Sequence, residues 1–379
     1  MKRFVTFVLN LLRTVKRGCT KGVICCCNAL FHLLPVQNRV FFYTIRADGK
    51  LLENLDCVYQ ACDCQKVVFA HMLPHSFLLS LQARRLMLTS RVVVTDDYLK
   101  YCRDTRLRKG QKLVQLWHAP GAFKCFGLDA PSRLSEAEER RTHEQYTDVC
   151  VSAEDVRRFY AGAFGVSLSV VKALGTPRTD ALLNLDRRQA LKEGLLQRYP
   201  ALRNKTIYLY APTFREQSGK VVPFSPDLDF AALDAALRDD ELFVVTRHPV
   251  MQTPFFQNGQ YRHVLDLTEE ATGTLLCAAQ VLLTDYSSVL FDASLCGVPC
   301  VFYCPDLHTY ARAFYLDFSR DLPGPIVENA DAVLPTLRAV LLQPPLAQIR
   351  AFCARQTGAC DGHATQRTAS LILSYLSKS

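Results

Sequence analysis

Short runs rich in β-branched and aromatic residues return along this chain, each followed by a longer pattern of helical spacing. This alternation narrows the fold more than any single motif. The runs occupy residues 39–45, 66–70, 91–95, 112–117, 148–152 and 169–174, then 206–211, 242–246, 280–284 and 299–303. Strands separated by helices pair in parallel and are covered by helices on both faces. Ten strands in 379 residues predict an α/β protein with two such sheets. The polar stretch 184–204 is the expected junction. The expected divisions are a segment over 1–36, one α/β domain over 37–183, a second over 184–345, and helices over 346–379 that pack back on the first.

The formal net charge of +9 suggests a nucleic-acid partner until it is placed. Residues 1–47 hold Lys2, Arg3, Arg13, Lys16, Arg17, Lys21, Arg39 and Arg46 and no acidic residue, leaving 37 basic against 36 acidic residues elsewhere. A nearly neutral body without a basic stripe argues against nucleic acid. On a helical wheel Phe4, Val5, Val8, Leu9, Leu11, Leu12 and Val15 share one side, while Lys2, Arg3, Arg13, Lys16, Arg17 and Lys21 share the other. A cationic amphipathic helix of this kind lies in the headgroup region of an anionic membrane, each basic residue contributing about 1 kcal/mol. The apolar stretch 22–36 is too short to span a bilayer, and no clear small-residue cleavage site follows it. Peripheral attachment is expected, with an ordinary helix docked on the core as the alternative.

Sixteen cysteines include no Cys-x-x-Cys pair and no matching His/Cys set, and most lie in apolar runs. They read as small buried hydrophobes of a protein from a reducing, cytoplasmic compartment.

Doubly wound sheets bind ligands at the carboxyl ends of their strands, and five strand ends here are rich in polar groups. Trp117-His118-Ala119-Pro120-Gly121 with Lys124 places a histidine, whose near-neutral pKa suits proton transfer, before a small-residue turn. In Gly175-Thr176-Pro177-Arg178-Thr179-Asp180, Thr176 is placed to cap a helix with Pro177 at its first position, leaving Arg178 for an anion. Thr213 and Glu216 have capping-box spacing around Arg215. Arg247-His248-Pro249 ends a further strand. The strongest segment is Thr284-Asp285-Tyr286-Ser287-Ser288, a strand, a hydroxyl-rich turn and a helix start fit to cradle phosphate. No P-loop, no Gly-x-Ser-x-Gly elbow and no Asp-x-Asp pair accompanies these strand ends, which argues against a P-loop ATPase, a serine hydrolase and a metal site.

Seven of these pieces in order resemble the CDP-glycerol glycerophosphotransferase family, the bacterial teichoic-acid primases and polymerases. They are Trp117-His118 with Gly121 and Lys124, Gly175 to Asp180, Tyr210-Ala211-Pro212-Thr213-Phe214-Arg215, Arg247-His248-Pro249, and Thr284 to Asp292. Phe314-Tyr315-Leu316-Asp317 with Pro323-Gly324-Pro325, and Asp361-Gly362 with Arg367, complete the series. The resemblance implies a GT-B architecture of two facing Rossmann-like domains, 37–183 on the acceptor side and 184–345 on the CDP-polyol donor side. It also implies monotopic attachment at the cytoplasmic face of the cell membrane. The implied reaction, without metal or cofactor, moves glycerol phosphate from CDP-glycerol to a hydroxyl of a lipid-linked acceptor and releases CMP.

Carried over by position, His118 is the general base, and His248 with Arg247 steadies the donor phosphates. Ser287 and Ser288 hold the diphosphate and Asp285 orients its neighbours. Arg178, Thr213 and Arg215 are further donor contacts, and Trp117, Gly121 and Lys124 face the acceptor. The loop after His118 departs from the Trp-His-Gly-Thr-Pro form of many members, which leaves the acceptor open. The long N-terminal extension that polymerases often carry is missing, which points to a primase-like enzyme. CDP-ribitol as donor, a nucleotide-sugar glycosyltransferase and a catalytically inactive membrane-surface binding protein stand as alternatives, and a homo-oligomer stays open.

Deletion of residues 1–21 is expected to abolish co-sedimentation with anionic vesicles at low salt. Undiminished binding would return the segment to an ordinary surface helix.

Overall fold

The computed structural model describes residues 21–131, 134–217, 220–248, 250–251, 253–310 and 312–377. Lys2, Arg3, Arg13, Lys16 and Arg17, and so nearly all of the expected membrane-surface helix, lie outside the described residues, as does Pro249. The described residues 21–33 are helical, and Asn28 Nδ2 there donates to Thr105 Oγ1 at 2.9 Å. Leu30 and Leu33 of that helix face solvent. Among the described residues no helix is long and apolar enough to cross a membrane.

The first half contributes β1 (Gln37–Thr44), β2 (Lys66–Ala70), β3 (Ser90–Thr95), β4 (Lys112–Gln115), β5 (Asp148–Val151) and β6 (Val171–Ala173). They form one parallel sheet in the order β2-β1-β3-β4-β5-β6. The centre of β1 shows why. Phe41 and Tyr43 enter one apolar cluster while Val40 and Phe42 enter another. Alternate residues of a strand point to opposite faces, so both faces of this sheet are covered.

The second half supplies β7 (Thr206–Ala211), a hairpin of β8 (Arg215–Gln217) and β9 (Lys220–Val222), then β10 (Glu241–Val245), β11 (Val264–Asp266), β12 (Val281–Thr284), β13 (Cys300–Tyr303) and β14 (Ile326–Val327). Its parallel sheet has the order β11-β10-β7-β12-β13-β14, with the hairpin apart. Each sheet reverses its winding once, between β1 and β3 and between β7 and β12, and ligand crevices of such sheets open at these points. Thr213 and Glu216 do not begin a helix. Arg215 and Glu216 are instead paired with Val222 and Val221 in the hairpin.

Where both C-terminal helices were expected to return, Leu346–Thr357 packs on the second half and reaches the first at its end, where the Gln356 carbonyl accepts from Ser152 Oγ at 2.6 Å and Gln356 Oε1 accepts from the Ala122 amide at 3.0 Å. Phe352 of this helix joins the apolar cluster of the second half and stacks on Phe291 at 5.5 Å between ring centroids. Only Ala364–Leu376 crosses to the first sheet, where Ala369, Ile372 and Leu376 pack with Val40 and Phe42. Asp180 receives it: the amides of Ala364 and Thr365 donate to the two carboxylate oxygens at 3.1 and 2.8 Å.

Two further links fix one half on the other. Residues 122–125 leave the first sheet, and Lys124 bridges to Phe314 of the second half. Cys125 N donates to Ala313 O at 2.9 Å and Tyr315 N to Phe123 O at 2.8 Å. Gly121 starts this crossing at φ +69°, and a Cβ there would lie 2.2 Å from the Phe291 ring. The second link is the ion pair of Arg178 Nη1 with Asp292 Oδ2 at 2.9 Å.

Replacing Arg178 by Leu leaves Asp292 largely buried without its counter-charge. The expected cost is about 3 kcal/mol, read as a lower midpoint of urea denaturation. Replacing both residues by Leu is expected to restore most of the loss.

Candidate active site

The loop after β4 is held by its own neighbours. Trp117 has φ +52°, in the left-handed region that a bulky residue avoids. Its amide donates to Gln115 Oε1 at 2.8 Å, and its carbonyl accepts from Asn54 Nδ2 at 2.9 Å. The same Asn54 accepts from the amide of Arg178 at 3.0 Å through Oδ1. So fixed, the Trp117 ring stacks on His118 at 4.5 Å and on Phe126 at 5.0 Å.

His118 Nδ1 lies 3.3 Å from the carbonyl of Asp96. A carbonyl only accepts, so the ring proton belongs on Nδ1 and Nε2 keeps a lone pair. Burial pushes the His118 pKa below the ordinary histidine value; the charge of Asp97 opposes this and that of Arg46 reinforces it. The imidazole is therefore neutral at pH 7.

His248 follows β10 on the facing wall, its ring 4.8 Å from that of Phe214. Here Nδ1 accepts from the amide of Val250 at 3.3 Å, so the proton sits on Nε2 instead. Burial lowers this pKa too, and Lys124 lowers it further. The two imidazoles thus offer complementary groups, a lone pair and an N–H.

Ser287 and Ser288 stand where β12 turns into the helix Val289–Leu295. Their amides donate to no acceptor among the described residues. Beneath them the buried Asp285 accepts from the amides of Thr213 and Tyr286 at 2.8 and 2.6 Å and from Arg215 Nη1 at 2.8 Å. One carboxylate thereby ties the loops after β7 and β12 together at the switch point. Lys124 has no carboxylate or hydrogen-bond partner for its ammonium among the described residues. Burial, with Arg312 adding to it, brings its pKa down to about 8.

These groups converge on a cleft of about 390 Å³. Trp117, His118, Gly121 and Lys124 line it from the first half, and Thr213, His248, Ser287 and Ser288 from the second. Three arginines expected at the donor phosphates are absent from this lining. Arg178 is held by Asp292. Arg247 donates to Asp266 at 3.1 Å and to the carbonyl of Met251 at 2.5 Å. Arg215 lies between Asp285 and Asp306, at 2.8 and 2.7 Å.

A guanidinium half-buried at a strand end is costly unless paired, and each found its carboxylate far along the chain. Lys124, expected on the acceptor side, extends instead onto the second half, 5.6 Å over the Tyr310 ring. Thr176 makes no side-chain cap, although Pro177 does open a short helical turn. Arg312, Phe214 and Tyr286 also line the cleft. Arg312 went unnoticed because it stands in a loop far from any strand end. The described residues hold no cluster of three or more potential metal ligands, and their fifteen cysteines are free.

Residues 42–374 match the model of the CDP-Glycerol:Poly(glycerophosphate) glycerophosphotransferase family. The chain belongs to this family. Among similar glycerophosphotransferase-family proteins, the teichoic acid poly(ribitol-phosphate) polymerase of Bacillus spizizenii is 33% identical over 303 residues, 75% of this chain and 47% of that protein. The teichoic acid ribitol-phosphate primase of the same organism is 33% identical over 301 residues, 76% of each chain. The teichoic acid glycerol-phosphate primase of Bacillus subtilis is 27% identical over 308 residues, 78% of this chain and 77% of the other. The chain therefore spans about half the length of the first of these relatives.

The solved wall teichoic acid polymerase TagF shares the fold at TM-score 0.76 and 20% identity over 98% of both chains. UDP-GlcNAc 2-epimerase from Neisseria meningitidis shares it more loosely, at TM-score 0.55 and 12% identity over 91% of this chain and 100% of the other. One architecture thus serves different chemistries, and function has to be argued from the site.

Titration of the reductively methylated protein by NMR is expected to show one lysine, lost in Lys124→Arg, titrating near pH 8. Only lysines titrating near their ordinary value would contradict the enclosed position of Lys124.

Proposed function

We propose that this protein is a CDP-polyol phosphotransferase, with CDP-glycerol as donor and a hydroxyl of a lipid-linked acceptor as nucleophile. It releases CMP and acts in teichoic acid or related cell-surface polymer synthesis at the cytoplasmic face of the membrane. The observation that carries this reading is the pairing of His118 and His248 in opposite tautomers across one cleft, with Lys124 between the halves. The acceptor hydroxyl gives its proton to His118 Nε2 as its oxygen attacks the phosphorus that bears the polyol. The bond from that phosphorus to the CMP oxygen breaks, and CMP leaves with the electron pair.

Negative charge grows on the departing phosphate. Lys124, still an ammonium at pH 7, is placed to meet it, with the Nε2–H of His248 and the amides and hydroxyls of Ser287 and Ser288. Asp285 supports these groups from below. Membership of the family and the names of its teichoic acid relatives support the same chemistry. A second reading takes CDP-ribitol as donor. It is favoured by two relatives at 33% identity, both named as ribitol-phosphate enzymes.

The test is CMP release from CDP-glycerol and from CDP-ribitol with a lipid-linked acceptor. His118→Ala is expected to lower kcat by about a thousandfold, within the range of a lost general base. The profile of kcat/KM should fall on the acid side, below the ordinary histidine value of about 6.5, as His118 gains its proton. It should fall again above about 8 as Lys124 loses its charge, and Lys124→Arg should move that alkaline limb upward. Full activity of His118→Ala, or no release from either donor, would sink the reaction.

A further inference from the structure

A second chamber of about 350 Å³ opens off the first and shares Lys124, Thr213, Phe214 and Arg312 with it. Its own walls are the hairpin residues Arg215 and Glu216 together with Asp306, Thr309 and Tyr310. Of these only Arg215 was expected to contact the donor. We propose that this chamber receives the polyol of the donor, and that Glu216 and Thr309 read its hydroxyls. The inference rests on the CDP-polyol reading and gives the donor's two ends separate places.

Three features of the chamber support a neutral, hydroxyl-rich occupant. Its arginines are paired, Arg215 with Asp306 and, beneath it, Asp285, and Arg312 with Glu216, while Lys124, at the mouth shared with the first cleft, has no carboxylate partner among the described residues. An anionic diphosphate gains little there compared with the first cleft, where Lys124 faces the two serines. The Tyr310 ring is already engaged, since it stacks on Tyr286 at 3.7 Å between centroids and Lys124 lies 5.6 Å over it. A pyrimidine would have to displace Lys124 to stack on Tyr310.

What remains open toward solvent is hydrogen-bonding capacity. Glu216 and Thr309 are both exposed. Glu216 and Arg312 stand 3.6 Å apart, too loose for a hydrogen bond but within reach of a shared hydroxyl. Thr309 Oγ1 makes only a 3.2 Å bond to the carbonyl of Asp306. A hydroxyl donates to the carboxylate and accepts from the guanidinium, which a phosphate cannot do. The chamber also begins at Lys124, where the reacting phosphate is placed, and the polyol is attached to that phosphate.

The experiment compares the full chain with its Glu216→Gln and Thr309→Val variants. It measures kcat and KM for CDP-glycerol and CDP-ribitol, and inhibition by CDP, which lacks the polyol. The expected result is a KM for the preferred CDP-polyol raised about tenfold or more in Glu216→Gln and less in Thr309→Val. The ratio of kcat/KM between the two donors should shift while CDP inhibits as before. Unchanged KM and donor ratio in both variants would overturn the polyol chamber while leaving the reaction standing. CDP inhibition weakened as much as donor binding would assign the chamber to the nucleotide instead. Absence of CMP release from the unaltered protein would remove the underlying reaction and this inference with it. Unchanged thermal midpoints separate all of these outcomes from misfolding.

Discussion

Residues 121–125 belong to the first half in sequence and to the second in packing, and the cleft depends on that crossing. The segment starts beside His118, passes the Phe291 ring at a position where only glycine fits, and pairs with 313–315 through main-chain hydrogen bonds. Main-chain pairing fixes a register that side-chain contacts between two separate bodies could not. It sets the distance from the base on one wall to the hydroxyls and ammonium on the other. Within the first half, Asn54 ties two loops together, holding the strained Trp117 with one end of its amide and the Arg178 main chain with the other.

The electrostatics of the site follow from which cations the fold has already used. Arg178, Arg215 and Arg247 each meet a carboxylate within 3.1 Å, so their charge helps to hold the scaffold together. Lys124 is different. It is carried into the cleft by the crossing segment, loses hydration there, and finds no carboxylate of its own among the described residues. A cation whose pKa is lowered by burial is one whose charged form is under-solvated, and an incoming phosphate supplies what water no longer does. The neutral state of His118 has the same origin, with burial acting on a weaker base.

Much of this was legible in the sequence. Ten of the twelve strands of the two parallel sheets were legible, most of them because a parallel sheet covered on both faces needs continuous apolar runs such as Val40-Phe41-Phe42-Tyr43. β11 and β14, two or three residues long at the sheet edges, carry no such run. Strand ends were legible for the same reason, and His118, His248, Ser287 and Ser288 meet in the cleft. The carboxylate partners of the arginines, Asp266, Asp292 and Asp306, were not legible because they become adjacent only after folding. Lys124 was placed on the acceptor side because sequence order puts it in the first half, and only the crossing moves it. The Thr213-x-x-Glu216 spacing suits a helix locally, and the pairing of β8 with β9 overrides it.

The crossing also bears on how such an enzyme can diverge. In the proposed reaction the base, the glycine pivot and the phosphate-facing lysine occupy one stretch of seven residues, 118–124, so that a single loop serves both reactants. An insertion or exchange there that admits a new acceptor also displaces the ammonium that meets the donor. Acceptor range and donor affinity are therefore inherited together, and a lineage that changes one must repair the other in the second half, opposite residues 313–315.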